Sequence, residues 1–199
     1  MTHRHDPVIS DPRHSEAAAC TRYVVLRPMG RLAQAFLEVQ QAVRFLPDAE
    51  GLSYPAAHMT MKACGQRNDE GLVAAVGSWS ARTPRLQVTF EAVTAFPDHD
   101  VLLIQVARTE ELADAMADLR RACAHIPAED EDAIPVDEWV FHMSLAYASW
   151  MPEERWRALL RAVGRLELER ATDLLSIVDV LAFDGGPERL LARFELTGE

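Results

Sequence analysis

Two short stretches decide how this chain is read: AAHMTMKACG at residues 56–65 and WVFHMSLAYAS at residues 139–149. Each carries histidine, an apolar residue, a hydroxyl residue and an apolar residue in succession, as His58-Met59-Thr60-Met61 and His142-Met143-Ser144-Leu145. Each also reads as a buried strand. Side chains alternate faces along a strand, so His58 and Thr60 share one face while Met59 and Met61 take the other. The same parity sets His142 and Ser144 against Met143 and Leu145. The apolar residues can anchor each strand in a core while imidazole and hydroxyl face a cleft. By plain alternation Lys62 continues the His58 face and would bring a cation to it. Tyr147, at an odd spacing from His142, falls on the core face unless a bulge or the strand's end turns it.

Outward from the motifs, the chain alternates strand and helix signals. TRYVVLRP reads as a strand closed by Pro28, and GRLAQAFLEVQQAVRFLP as a helix with Leu32, Phe36, Val39 and Val43 at helical spacing. DEGLVAAVGSWSA is helical, and RLQVTFEAVTAF with DVLLIQVA forms a hairpin through PDHD. Thr109 caps a helix over TEELADAMADLRRACAHI, with acidic residues in its first turn. After the acidic loop IPAEDEDAIPVDE and the second motif, Pro152 opens a helix through PEERWRALLRAVGRL. DLLSIVDVLAFD and RLLARFEL close the chain as strands around Gly185-Gly186. The order suggests a diverged repeat in which the second half lacks a clear opening strand. The expected fold is α+β: two lobes duplicated about a pseudo-two-fold, with antiparallel sheets flanking a central cleft. Residues 1–19 are expected to be a disordered tail and 20–199 one bilobal domain. Histidines 3, 5 and 14 in the tail show no ligand spacing and read as solvated.

Composition narrows the function classes. With 199 residues, 49% hydrophobic, the chain can bury a sizeable core. A net charge of −11 argues against a broad surface for long RNA, though local groups can still hold a small anion. Three cysteines, Cys20, Cys64 and Cys123, with no CxxC pair fit reduced thiols in a cytoplasm. No apolar run approaches the ~18 residues of a membrane helix. A cytoplasmic monomer without metal or cofactor is the expectation. The four tryptophans read as packing residues, and His99 and His125 as structural.

Two imidazoles and two hydroxyls across a cleft suit one chemistry. One histidine can act as base while its twin acts as acid near neutral pH. The hydroxyls can donate to the non-bridging oxygens of a phosphate as charge builds there. No acidic third member or GxSxG elbow points to a serine nucleophile. A single motif is more often a structural histidine; the duplication carries the catalytic reading.

The paired motifs resemble the signature of the two-histidine (2H) phosphoesterase superfamily, which includes bacterial 2′-5′ RNA ligase-like proteins and cyclic nucleotide phosphodiesterases. The resemblance spans about residues 21–197, specific at the motifs and topological elsewhere. It implies a bilobal fold, His58 and His142 as the acid–base pair, and Thr60 and Ser144 as phosphate donors. It also implies an aromatic near the substrate at Tyr147. Lys62 is the other candidate substrate contact, against its reading as a merely exposed lysine. The chain departs from many relatives in having Ala57 and Phe141, not proline, before the histidines. The expected activity is metal-independent hydrolysis of a 2′,3′-cyclic phosphate on a small nucleotide. The alternatives are 2′-5′ RNA ligation or RNA-end processing, and a non-catalytic nucleotide-binding module.

Overall fold

A computed structural model describes residues 21–65, 69–96, 100–126, 134–148, 151–183 and 188–198. The expected tail, the acidic run at 129–132, His99 and the Gly185-Gly186 turn lie outside the described residues. The strands are β1 (Thr21–Arg27), β2 (Met59–Gly65), β3 (Leu86–Phe96), β4 (Val101–Val106), β5 (His142–Tyr147), β6 (Thr172–Leu175), β7 (Ile177–Phe183) and β8 (Arg189–Glu195). The helices are α1 (Gly30–Arg44), α2 (Asp69–Ser80), α3 (Glu110–Ala122) and α4 (Glu153–Val163). Thr109 caps α3 as expected: its side-chain oxygen accepts the Leu112 N–H at 3.2 Å. No helix among the described residues is long and apolar enough to cross a membrane.

All eight strands join one antiparallel sheet in the order β6-β3-β4-β5-β2-β1-β7-β8. The pseudo-two-fold runs between β5 and β2. It relates β2 to β5, β1 to β4 and β7 to β3. The opening strand missing from the sequence pattern of the second half is therefore β4, the second strand of the expected hairpin. Each half also contributes to the sheet of the other lobe. β3 follows β2 in the chain but pairs with β4, while β7, which follows β5 and β6, pairs with β1. Sequence halves and spatial lobes are thus interlocked. The helices repeat the exchange: α1 packs on β5 and β6, and α3 on β2 and β3.

One apolar core fills the space between the helices and one face of the sheet. Leu32, Phe36, Val39 and Val43 of α1 enter it with Trp79 of α2, Met116 and Leu119 of α3, and Trp156 and Leu159 of α4. From the strands come Val24, Leu26, Met59, Leu102, Ile104, Met143, Val178 and Val180. The opposite face carries a small separate cluster of Val25, Leu181 and Phe183.

One buried polar residue ties this core to both motifs. Gln40 of α1, 7% exposed, donates its side-chain amide to the carbonyls of Pro55 and Leu145, each at 3.0 Å. Pro55 lies three residues before His58, and Leu145 follows Ser144. Both partners only accept, so the amide nitrogen must face both. Gln40→Leu is therefore expected to strand two carbonyls and lower the unfolding free energy by about 1–3 kcal/mol. Urea denaturation measures this, and an unchanged midpoint would mean that other donors replace the amide.

Candidate active site

β2 and β5 meet at one register pair, Met59 opposite Met143. Both methionines are fully buried on the helix side. Continuing that antiparallel register by one residue each way sets Thr60 opposite His142 and His58 opposite Ser144. Directly opposed residues hold their Cβ atoms ~4.5–5.5 Å apart. The two histidines and two hydroxyls thus make a diagonal quartet on the face away from the helices, as the alternation predicts.

Beyond the hydroxyls both strands break step in the same way. Against β1, Val25 pairs with Thr60 and Val24 with Lys62, so Met61 is an extra residue in β2. Against β4, Leu103 pairs with Ser144 and Leu102 with Ala146, so Leu145 is an extra residue in β5. A bulge flips the parity of all that follows. Lys62 consequently leaves the His58 face, which corrects the expectation from plain alternation. It pairs with Val24 of the core, is 3% exposed, and lies near the Cys123 thiol on the helix side. The equivalent bulge at Leu145 has the opposite use. It turns Tyr147, half-buried and paired with Val101, onto the face of His142 and Ser144. Gln40 holds the carbonyl of that bulge.

The imidazoles are fixed by mirror-related hydrogen bonds. His58 Nδ1 lies 3.0 Å from the Ala56 carbonyl oxygen, and His142 Nδ1 lies 2.9 Å from that of Val140. A carbonyl oxygen only accepts, so each Nδ1 carries the hydrogen and each neutral ring keeps its lone pair on Nε2. Both rings are half-buried. Burial, the nearby Arg27 guanidinium and His142 push the His58 pKa down to about 4, against the backbone bond to Ala56 and the Asp179 charge. Burial also lowers His142, opposed by its bond to Val140.

The flanks of the quartet differ, and these residues were not singled out in the sequence. On the second lobe, Gln105 pairs with His142, and the Phe96 and His142 rings stand nearly perpendicular, 4.8 Å between centroids. On the first lobe, Arg27 donates from Nη1 to the Ala57 carbonyl at 3.2 Å, from Nε to Asp179 at 2.8 Å and from Nη2 to Glu188 at 2.5 Å. Arg193 also donates twice to Asp179, at 2.7 and 2.9 Å. Burial alone would raise the Asp179 carboxyl, but the bonds from Arg193 and Arg27 bring it below its usual value. Superposing β1 on β4 in the sequence would have matched Arg27 to Gln105. Phe96 left no such signal, because its contact joins β3 to β5, which are separated in the sheet by β4. A cavity of about 750 Å³ between the end of α1 and Arg155 holds none of the motif residues. Arg155 is paired there with Asp48 and Glu50, and Arg44 stacks on Tyr54.

Comparison with known proteins adds a family and a fold. The model of the 2′-5′ RNA ligase superfamily matches residues 30–183. No curated protein matches. The structure is similar to TT0787 of Thermus thermophilus at a TM-score of 0.64 and 16% identity, over 90% of this chain and 99% of that one. It is also similar to Escherichia coli LigT complexed with NADP+, at a TM-score of 0.58 and 12% identity, over 90% and 98% of the two chains. LigT complexed with 3′-AMP aligns at 0.58 and 12%, over 88% and 97%. At these identities the likeness is one of fold.

The depressed histidine has a consequence for stability. An unfolded imidazole protonates near 6.5, whereas folded His58 does so near 4. Between those values the unfolded chain binds the extra proton, so this site's contribution is present above pH 6.5 and is lost as pH falls toward 4. His142 acts in the same direction. His58→Asn is expected to lose less stability than the wild type between pH 7 and about pH 4.5, read from urea midpoints. Identical losses in both proteins would contradict a neutral, desolvated His58.

Proposed function

The chain belongs to the 2′-5′ RNA ligase superfamily, and on that premise we propose that it is a phosphodiesterase opening 2′,3′-cyclic phosphates on small nucleotides. The observation that carries this reading is the mirror-related pair of imidazoles. Both rings keep Nε2 free beside a hydroxyl from the opposite strand. One Nε2 takes a proton from water as its oxygen bonds to phosphorus. The other imidazole, in its protonated form, gives its Nε2 proton to the ribose oxygen as the old P–O bond breaks. Thr60 and Ser144 donate to the non-bridging oxygens, where negative charge grows. The two imidazoles supply both proton transfers, so the scheme needs no metal ion.

Phe96 and Tyr147 on the second-lobe side of the quartet offer aromatic surface for a nucleobase or ribose. LigT structures contain 3′-AMP, ATP and NADP+, which fits a small nucleotide as the ligand of this fold. The net charge of −11 favours such a ligand over long RNA, whose phosphates it would repel. Ligation of RNA ends would run the same proton transfers in reverse.

The test is hydrolysis of the four nucleoside 2′,3′-cyclic monophosphates with EDTA present. His58→Ala and His142→Ala are each expected to lose at least ~100-fold in kcat, the low end for removing a general acid or base. Thr60→Val and Ser144→Ala are expected to lose about 10²-fold, as for one donor to a developing oxyanion. Tyr147→Ala should raise KM, whereas Lys62→Met should leave it unchanged. Joining of RNA ends in preference to hydrolysis would favour the ligase, and nucleotide binding without turnover a binding module. A requirement for added divalent metal would refute the mechanism.

A further inference from the structure

The pseudo-two-fold makes the two histidines near-equivalents, yet one must supply a base and the other an acid. The flanks of the two rings differ, and one pair of equivalent positions lies directly beside the imidazoles. Gln105 of β4 pairs with His142, and continuing the β1–β2 register past Leu26 and Met59 sets Arg27 beside His58. We propose that Arg27 is a positioning residue that divides the roles: its guanidinium stands beside His58, where the other lobe has an uncharged amide beside His142, making His58 the base and His142 the acid. This rests on the acid–base reading above.

The geometry gives Arg27 two different edges. Its Nε and Nη2 are engaged by Asp179, at 2.8 Å, and Glu188, at 2.5 Å. Its Nη1 is turned to the Ala57 carbonyl, one residue from the imidazole. Asp179 is 1% exposed and shared with Arg193, so its charge is spent on two guanidinium groups and does not belong to His58 alone. The pair of carboxylates also locks the Arg27 side chain, which is only 15% exposed. Three hydrogen bonds, to Asp179, Ala57 and Glu188, hold it in this orientation.

The groups facing His58 are Arg27 from β1, Asp179 from β7 and His142 from β5, with Arg193 and Glu188 behind them. Of these, Arg27 opposes protonation more strongly than Asp179 favours it. Facing His142 are Gln105 from β4, Phe96 from β3 and His58 itself. Arg108 lies behind, over the Phe141 ring at 5.7 Å. Neither an amide nor a phenyl ring adds a positive charge beside His142, whose proton affinity is lowered by burial. The bond from Nη1 has a second effect. It holds the Ala57 peptide, and thereby the turn whose Ala56 carbonyl fixes the His58 tautomer.

The experiment is an NMR titration of the imidazole nitrogens in full-length protein labelled at histidine, which needs no substrate. In the wild type His142 is expected to gain its proton at higher pH than His58. Arg27→Gln should raise the His58 midpoint by about one pH unit, a tenfold gain in proton affinity, and Arg27→Lys should restore it. Gln105→Arg, on the partly open second lobe, should lower the His142 midpoint and serves if Arg27→Gln does not fold. His58 protonating at or above His142, or Gln105→Arg leaving His142 unmoved, would overturn the assignment. The predicted titration without turnover of any cyclic phosphate would leave this asymmetry standing and sink only the enzymatic reading. Turnover with the reversed titration order would do the opposite.

Discussion

Met59 and Met143 face each other at the one position where β2 and β5 pair among the described residues, both buried beneath the helices. Because an antiparallel register is set by any single pair, this contact determines which residues lie opposite which on the other face. It brings two pairs of side chains, more than eighty positions apart in the chain, into one quartet. A slip of one residue in either strand would turn that strand's histidine under the helices, away from its twin. The apolar half of each motif is therefore the part that makes the polar half a site.

The exchange of β3 and β7 explains how so brief a central pairing can hold. β2 and β5 share little ladder, but β3 and β7 each cross into the opposite lobe, and α1 and α3 lie over the strand of the other motif. Neither lobe can move without dragging elements of its partner's half of the chain. Gln40 belongs to this interlock: one amide satisfies a carbonyl near each motif, so the loop before His58 and the bulge after Ser144 move as a unit.

The electrostatics are local. The chain carries −11 overall, yet the charges nearest the quartet are paired as Arg27 and Arg193 with Asp179 and Glu188. Such pairing leaves the cleft close to neutral and differentiates its two sides by the orientation of one guanidinium. The second lobe offers aromatic surface in its place. Symmetry of backbone and asymmetry of flanking side chains together let a duplicated scaffold present two chemically unequal imidazoles.

Much of this was legible in the amino-acid sequence. Period-2 and period-3.6 patterns located the elements. Thr109 marked a cap, and the two motifs placed His58, Thr60, His142 and Ser144 on shared faces. These are local properties, set by side-chain alternation and backbone propensity. The parity beyond each hydroxyl was not legible. Residues such as Met61 and Leu145 carry no signature of a bulge, since the bulge exists only against a neighbouring strand's register, and it sent Lys62 inward and Tyr147 outward. The exchange of β3 and β7 was equally hidden, because hairpin strands read alike whichever lobe receives them. The sequence by itself determined which residues could do chemistry. Pairing between distant strands decided which of them meet, because register is a relation between segments and is written in neither one alone.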